Sequence, residues 1–128
     1  MGAVKVLTVE DDWAIGHLLR KNLETQDIQV VVAATGFEGI RILCQEGVDL
    51  VLLDLRLPDF NGWGILSLLR LTEATKNIPV IVVSVEPPDA AMISQFHPDA
   101  YIQKPFDVRD LVDRVNRLIQ KGRRGGAE

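Results

Sequence analysis

Apolar residues along this chain fall into five short runs, separated by stretches in which they recur every three or four positions. The runs are Val4–Val9, Ile28–Ala33, Leu50–Leu53, Val80–Val83 and Ala100–Ile102. They are rich in Val and Ile and nearly continuous, as strands covered on both faces should be. Between them Ile15, Leu18, Leu19 and Leu23 recur at helical spacing, as do Ile65, Leu68 and Leu69, and later Leu111, Val115 and Leu118. Start signals agree: Thr35-Gly36 opens the second helix, Pro87-Pro88-Asp89 the fourth and Asp107 the last, while His97-Pro98 closes the fourth. The order is strand–helix five times over. It predicts an α/β fold with a doubly wound, five-stranded parallel sheet and helices on both faces.

That fold gives the strand ends a meaning, because open parallel sheets bind ligands at the carboxyl edge of their strands. The first strand ends in Glu10-Asp11-Asp12, the third in Asp54, the fourth in Ser84 and the fifth in Lys104 followed by Pro105. Clustered carboxylates repel one another and call for a hard cation, and oxygen ligands suit Mg²⁺. Metal, hydroxyl and ammonium together describe a site that neutralises charge on a phosphoryl group. Asp54 stands alone at the centre of the sheet and is the candidate nucleophile, since a carboxylate can accept a phosphoryl group covalently. Glu10 and Asp11 are adjacent and can share the metal, with Asp12 as an alternative to Glu10.

Composition narrows the function classes. Hydrophobic residues make up 47% of the 128 and charged residues 25%, within the range of one globular domain. A net charge of −4 argues against a nucleic-acid surface spread over the domain, although Arg109, Arg114, Arg117, Lys121, Arg123 and Arg124 gather late. No apolar run reaches the roughly 20 residues that span a bilayer, and no signal-peptide pattern is seen. Cys44 has no partner for an internal disulfide, which fits a reducing cytoplasm. Its neighbours Ile42 and Leu43 predict a small core residue. Trp13 and Trp63 read as partly buried fillers, and neither His17 nor His97 has neighbours that suggest a metal or relay role. The domain is expected over residues 1–121. The glycine-rich, charged segment 122–128 reads as a flexible tail or the start of a linker to a further module.

Four ordered motifs carry a resemblance: Val9-Glu10-Asp11-Asp12; Asp54-Leu55-Arg56-Leu57-Pro58 with Gly62; Pro79 through Ser84; and Tyr101-Ile102-Gln103-Lys104-Pro105-Phe106. Over residues 4 to 120 the chain resembles the response-regulator receiver domains of two-component signalling, with the flavodoxin-like fold of chemotaxis regulators. The resemblance implies that Asp54 is the phosphoacceptor and that Glu10, Asp11, Asp54 and the backbone carbonyl of Arg56 hold Mg²⁺. It implies that Ser84 is the switch hydroxyl, that Tyr101 rotates with it, and that Lys104 pairs with the phosphoryl oxygens, aimed by a cis-Pro105. The implied donor is a sensor histidine kinase or phosphotransfer protein. Output passes through the fourth helix, fifth strand and fifth helix to an effector domain or protein, or into a homodimer. Membrane insertion and direct nucleic-acid binding are not expected of this domain. Nor is enzymatic turnover beyond its own phosphotransfer and dephosphorylation.

Two competing readings are weaker. An aspartyl-phosphate phosphatase wants a second Asp two residues after the nucleophile, where this chain has Arg56. A receiver-like interaction module that never uses phosphate would fit Val85, a β-branched residue next to the switch hydroxyl that is expected to crowd the site. The segment from Ser84 to Lys104 is short, which predicts a short or shifted fourth helix. Arg56 and Glu86 flank the site and are expected to pair over it.

Overall fold

The computed structural model describes residues 3–126. Five parallel strands, β1 (Val4–Val9), β2 (Ile28–Ala33), β3 (Leu50–Leu53), β4 (Val80–Ser84) and β5 (Ala100–Gln103), form one sheet in the order β2-β1-β3-β4-β5. The helices α1 (Trp13–Leu23), α2 (Gly36–Gln45), α3 (Gly62–Leu71), α4 (Ala90–Phe96) and α5 (Val108–Gly126) follow the strands in turn. Helices α1 and α5 pack on one face of the sheet, and α2, α3 and α4 on the other. The strand order reverses between β1 and β3, and the crevice outside their carboxyl ends is where such a sheet binds ligands. Among the described residues, no helix is long and apolar enough to cross a membrane.

Side-chain alternation divides the core in two. Leu7, Val9, Val51, Leu53, Val80 and Val82 face Ile65, Leu66 and Leu69 of α3, while Val6, Leu50, Leu52, Ile81, Val83 and Ile102 face Leu19, Leu23, Leu111 and Val115. Every residue of β3 and β4 is buried. Fully burying one such side chain contributes about 1.5–3 kcal/mol, so the two central strands form a stiff support for the groups at their ends.

The local signals act as the sequence predicts. Thr35 caps α2 by accepting from the Glu38 N–H, and Asp89 caps α4 through the N–H groups of Ala91 and Met92. The fourth helix is short, at seven residues, buries none of them, and ends at His97 in the left-handed region with φ 55°.

Three expectations change. Cys44 is exposed. The buried positions of α2 are Gly36, Gly39 and Ile42, and two residues past Ile42 the helix has turned about 200° from that stripe. Trp13 is 78% exposed at the first position of α1 and, among the described residues, its ring stacks on His17 alone, with centroids 5.1 Å apart. Residues 122–126, expected as a flexible tail, continue α5, while 127–128 lie outside the described residues.

Candidate functional site

The sheet's hydrogen-bond ladder runs past the strand ends and fixes the polar residues there. The Glu10 N–H donates to the Ala33 carbonyl at 2.9 Å, the Asp54 N–H to Val9 at 3.0 Å and the Lys104 N–H to Ser84 at 2.8 Å. Val9 is in register with Leu53, so Glu10 and Asp54 follow the same pair. Ser84 is in register with Gln103, so Lys104 stands one residue beyond. The Lys104–Pro105 peptide bond is cis.

These positions converge. One carboxylate oxygen each of Glu10, Asp11 and Asp54 lies within 4.8 Å of the others. Lys104 Nζ bridges two of them, 2.7 Å from Glu10 Oε1 and 3.0 Å from Asp54 Oδ2. All three bridged side chains are at most 10% exposed, whereas Asp11 is open to solvent. The second oxygens are held by backbone: Glu10 Oε2 accepts from the Asp12 N–H and Asp54 Oδ1 from the Arg56 N–H, each at 3.1 Å. Burial pushes the Glu10 carboxyl up to about 7, against the lowering effect of its bonds to Lys104 and the Asp12 N–H; the nearby Asp54 charge adds to the rise. Lys104 is held above the ordinary lysine value: burial opposes its charge, but the bonds to Glu10 and Asp54 outweigh it. Two buried carboxylates, an exposed third and a single ammonium leave an excess of negative charge at one spot. A small divalent cation with oxygen ligands fits that donor set.

Asp12 is occupied otherwise. Its carboxylate caps α1, accepting from the N–H groups of Ala14 and Ile15. Ser84 is fully buried at the end of β4, and its Oγ accepts from the Glu86 N–H at 3.3 Å. Tyr101 does not reach the carboxylates. Its hydroxyl donates to the Glu86 carbonyl at 2.7 Å, and its ring lies 6.4 Å from that of Trp63, which in turn stacks on Phe96 at 5.5 Å. Trp63 is thus a buried link between α3, α4 and β5 rather than a simple filler. Arg56 Nε pairs with Glu86 Oε1 at 3.1 Å, as the flanking positions predict, with the Arg56 side chain largely in solvent and that of Glu86 partly buried. Val85 is 48% exposed, so its side chain opens outward rather than being enclosed in the site.

Gly62 explains why the loop after Asp54 turns where it does. A Cβ there would sit 2.5 Å from the Asp54 carbonyl oxygen and 2.7 Å from Leu55 Cα, which only glycine avoids. Sequence reasoning missed the caps at Asp12 and Asn61 and a long-range bond made by Asp59. The first two carry the ordinary signal of Asp or Asn before a helical run.

Known proteins share this fold. The family model described as the response regulator receiver domain matches residues 6–116. The chain is 37% identical over 124 residues to YcbL, an uncharacterised transcriptional regulatory protein of Bacillus subtilis, covering 95% of this chain and 54% of that one. It superposes on a CheY-like receiver domain protein from Methanospirillum hungatei with a TM-score of 0.89 at 27% identity, covering 97% and 99% of the two chains. The BeF₃-activated DrrB receiver domain gives 0.81 at 27% identity, covering 94% and 99%. The chain spans about half the length of the curated relatives it matches. It belongs to the receiver domains of two-component response regulators, phosphorylation-operated switches that pair with histidine kinases.

Proposed function

We propose that a phosphoryl group is transferred to Asp54, with Mg²⁺ held by Glu10, Asp11, Asp54 and the backbone carbonyl of Arg56. The observation that carries this reading is the convergence of three carboxylates and one ammonium at the strand-order reversal, two of the carboxylates being buried. One Asp54 oxygen attacks phosphorus in the phosphohistidine of a kinase or phosphotransfer protein. The P–N bond breaks, and its electron pair leaves with the imidazole, which takes up a proton. When bound, Mg²⁺ supplies positive charge opposite the oxygens of the transferring group.

Lys104 already touches Asp54 and follows the new charge, while Ser84 keeps a hydroxyl hydrogen to donate. Phosphorylation adds about −1.5 to −2 charge at Asp54. Hydrogen bonds to charged groups are worth about 1.5–3 kcal/mol each. Two of them, less what Lys104 gives up, supply much of the roughly 5.5 kcal/mol that moves a two-state equilibrium from 1:99 to 99:1. Tyr101, Trp63 and Phe96 form the aromatic path by which that shift reaches α4. In this reading the domain works in the cytoplasm and its α4-β5-α5 face contacts an effector domain, another protein or a second copy. The names of its relatives make a transcription-regulating partner the first to try.

Fluorine NMR with beryllofluoride tests the site. Bound resonances are expected only with Mg²⁺ present and not in Asp54→Asn. Binding that survives in Asp54→Asn would refute the assignment.

A further inference from the structure

The loop between β3 and α3 carries both Asp54 at its start and the Arg56 carbonyl, and three local contacts shape it. The Gly62 N–H donates to Leu55 at 2.9 Å, Arg56 and Asn61 form an antiparallel bridge, and Asn61 Oδ1 caps α3 through the Trp63 N–H. A fourth contact is not local. Asp59 Oδ1 accepts the Gly36 N–H at 2.8 Å and Oδ2 accepts the Phe37 N–H at 2.9 Å. The first helical N–H groups of α2 are therefore shared out. Glu38 bonds Thr35 Oγ1, Gly39 bonds the Thr35 carbonyl, and the leading two are taken by a carboxylate more than twenty residues away.

The contact is close-packed as well as polar. A Cβ on Gly36 would lie 2.8 Å from Phe60 Cδ2 and 2.9 Å from Ile65 Cδ1, so glycine is what lets the loop press onto the helix start. The Phe37 N–H, and after it that of Gly36, holds the Asp59 carboxyl below the usual carboxylate range. Upstream of α2, the Ala33 carbonyl holds the Glu10 backbone. One short segment, from Ala33 to Phe37, thus grips both halves of the acidic cluster: Glu10 through its backbone, and the Asp54–Arg56 loop through Asp59.

We infer that Asp59 is a positioning residue for the metal, pinning the β3–α3 loop to the start of α2 and so fixing the Arg56 carbonyl and Asp54 relative to Glu10 and Asp11. The inference rests on the assignment of Mg²⁺ to this cluster. Among the described residues Asp59 makes no hydrogen bond or ion pair with the proposed ligands, and it acts through the loop. A ligand group left free to move must be ordered on binding, which weakens affinity without changing the ligand set.

Calorimetric Mg²⁺ titration of the protein, together with amide exchange in the metal-free state, tests this. Asp59→Ala is expected to weaken Mg²⁺ binding about tenfold, the lower end for supporting residues of metal sites, and to speed exchange at Gly36, Phe37 and residues 55–61. Asp59→Asn keeps one acceptor oxygen and should show an intermediate loss, which also covers the case in which the alanine variant does not fold. Thr35→Ala removes another cap from the same helix end. It should lower the melting temperature while leaving Mg²⁺ affinity unchanged. Unaltered Mg²⁺ affinity in both Asp59 variants would overturn the inference, as would an equal loss in Thr35→Ala. A wild type that binds no Mg²⁺ would instead overturn the metal assignment itself, and this inference with it.

Discussion

Replacing Lys104 with methionine should expose the electrostatic cost that the site stores. The ammonium is the bridging cation for two buried carboxylates, at 2.7 Å and 3.0 Å, and its side chain is only 10% exposed. Methionine matches the length of the apolar stem, so packing changes little and the charge is what is lost. Removing one partner of a buried ion pair typically costs 3–5 kcal/mol. We expect about 3 kcal/mol here, because backbone N–H groups still hold one oxygen of each carboxylate.

Protonation should limit the damage. The Glu10 carboxyl is raised to about 7 even with Lys104 in place, and without the ammonium it rises further. A group whose folded pKa exceeds its unfolded value adds stability below the unfolded value and loses it as pH climbs through the folded one. Wild type should therefore lose some metal-free stability between about pH 4.5 and 7 from this group, and the variant should lose more, over a range reaching higher. Urea unfolding near pH 5.5 and near pH 8.5 measures the difference, with the larger deficit expected at the higher pH. Saturating Mg²⁺ should restore more stability to the variant than to wild type, because the metal then replaces the missing charge. A deficit that is the same at both pH values and unmoved by Mg²⁺ would show that Lys104 acts by packing, and the electrostatic argument would fail.

Other consequences can be checked separately. Mg²⁺ affinity of the wild type should rise as Glu10 deprotonates toward about pH 7 and level off above it, which calorimetry across that range would show. Gly62→Ala forces a Cβ against the Asp54 carbonyl and Leu55 Cα, and should destabilise the domain by about 3 kcal/mol in denaturant melts; a loss under 1 kcal/mol would contradict the close approach. Breaking the exposed Arg56–Glu86 pair with Arg56→Ala should change stability by less than about 1 kcal/mol yet shorten the phosphorylated lifetime, as timed by loss of label from Asp54. An unchanged lifetime would remove the pair from any role in shielding the site.

The strand ends were the most legible part of the chain because they combine two independent patterns, a continuous apolar run and a charged stop. β1, β2 and β3 match their predicted limits, and β4 and β5 each extend one residue further. The gathering of Lys104, Glu10 and Asp54 at one sheet edge was legible from the strand ends, whereas the expectation for Lys104 was a phosphoryl partner and its ion pairs with both carboxylates were not foreseen. Errors arose where one residue's neighbours in sequence are not its neighbours in space. Cys44 follows Ile42 and Leu43, yet the helix turns it out to solvent. Trp13 stands about 60° from Gly16 and about 120° from Leu19 around α1, so the first residue of the helix lies off its buried stripe. Gly122, Gly125 and Gly126 argued for coil, since each costs about 1 kcal/mol in a helix, yet α5 continues through them. Asp59 was invisible for the same reason: its partners are Gly36 and Phe37, and no local pattern links an acidic loop residue to a helix start so far back in the chain.

Intact-mass analysis after incubation with acetyl phosphate tests the central claim most directly. Wild-type protein should gain the mass of one phosphoryl group when Mg²⁺ is present and none when it is chelated, and Asp54→Asn should gain none in either case. A folded wild type that stays unmodified by both acetyl phosphate and a competent histidine kinase, or an Asp54→Asn protein that is modified equally, would contradict it.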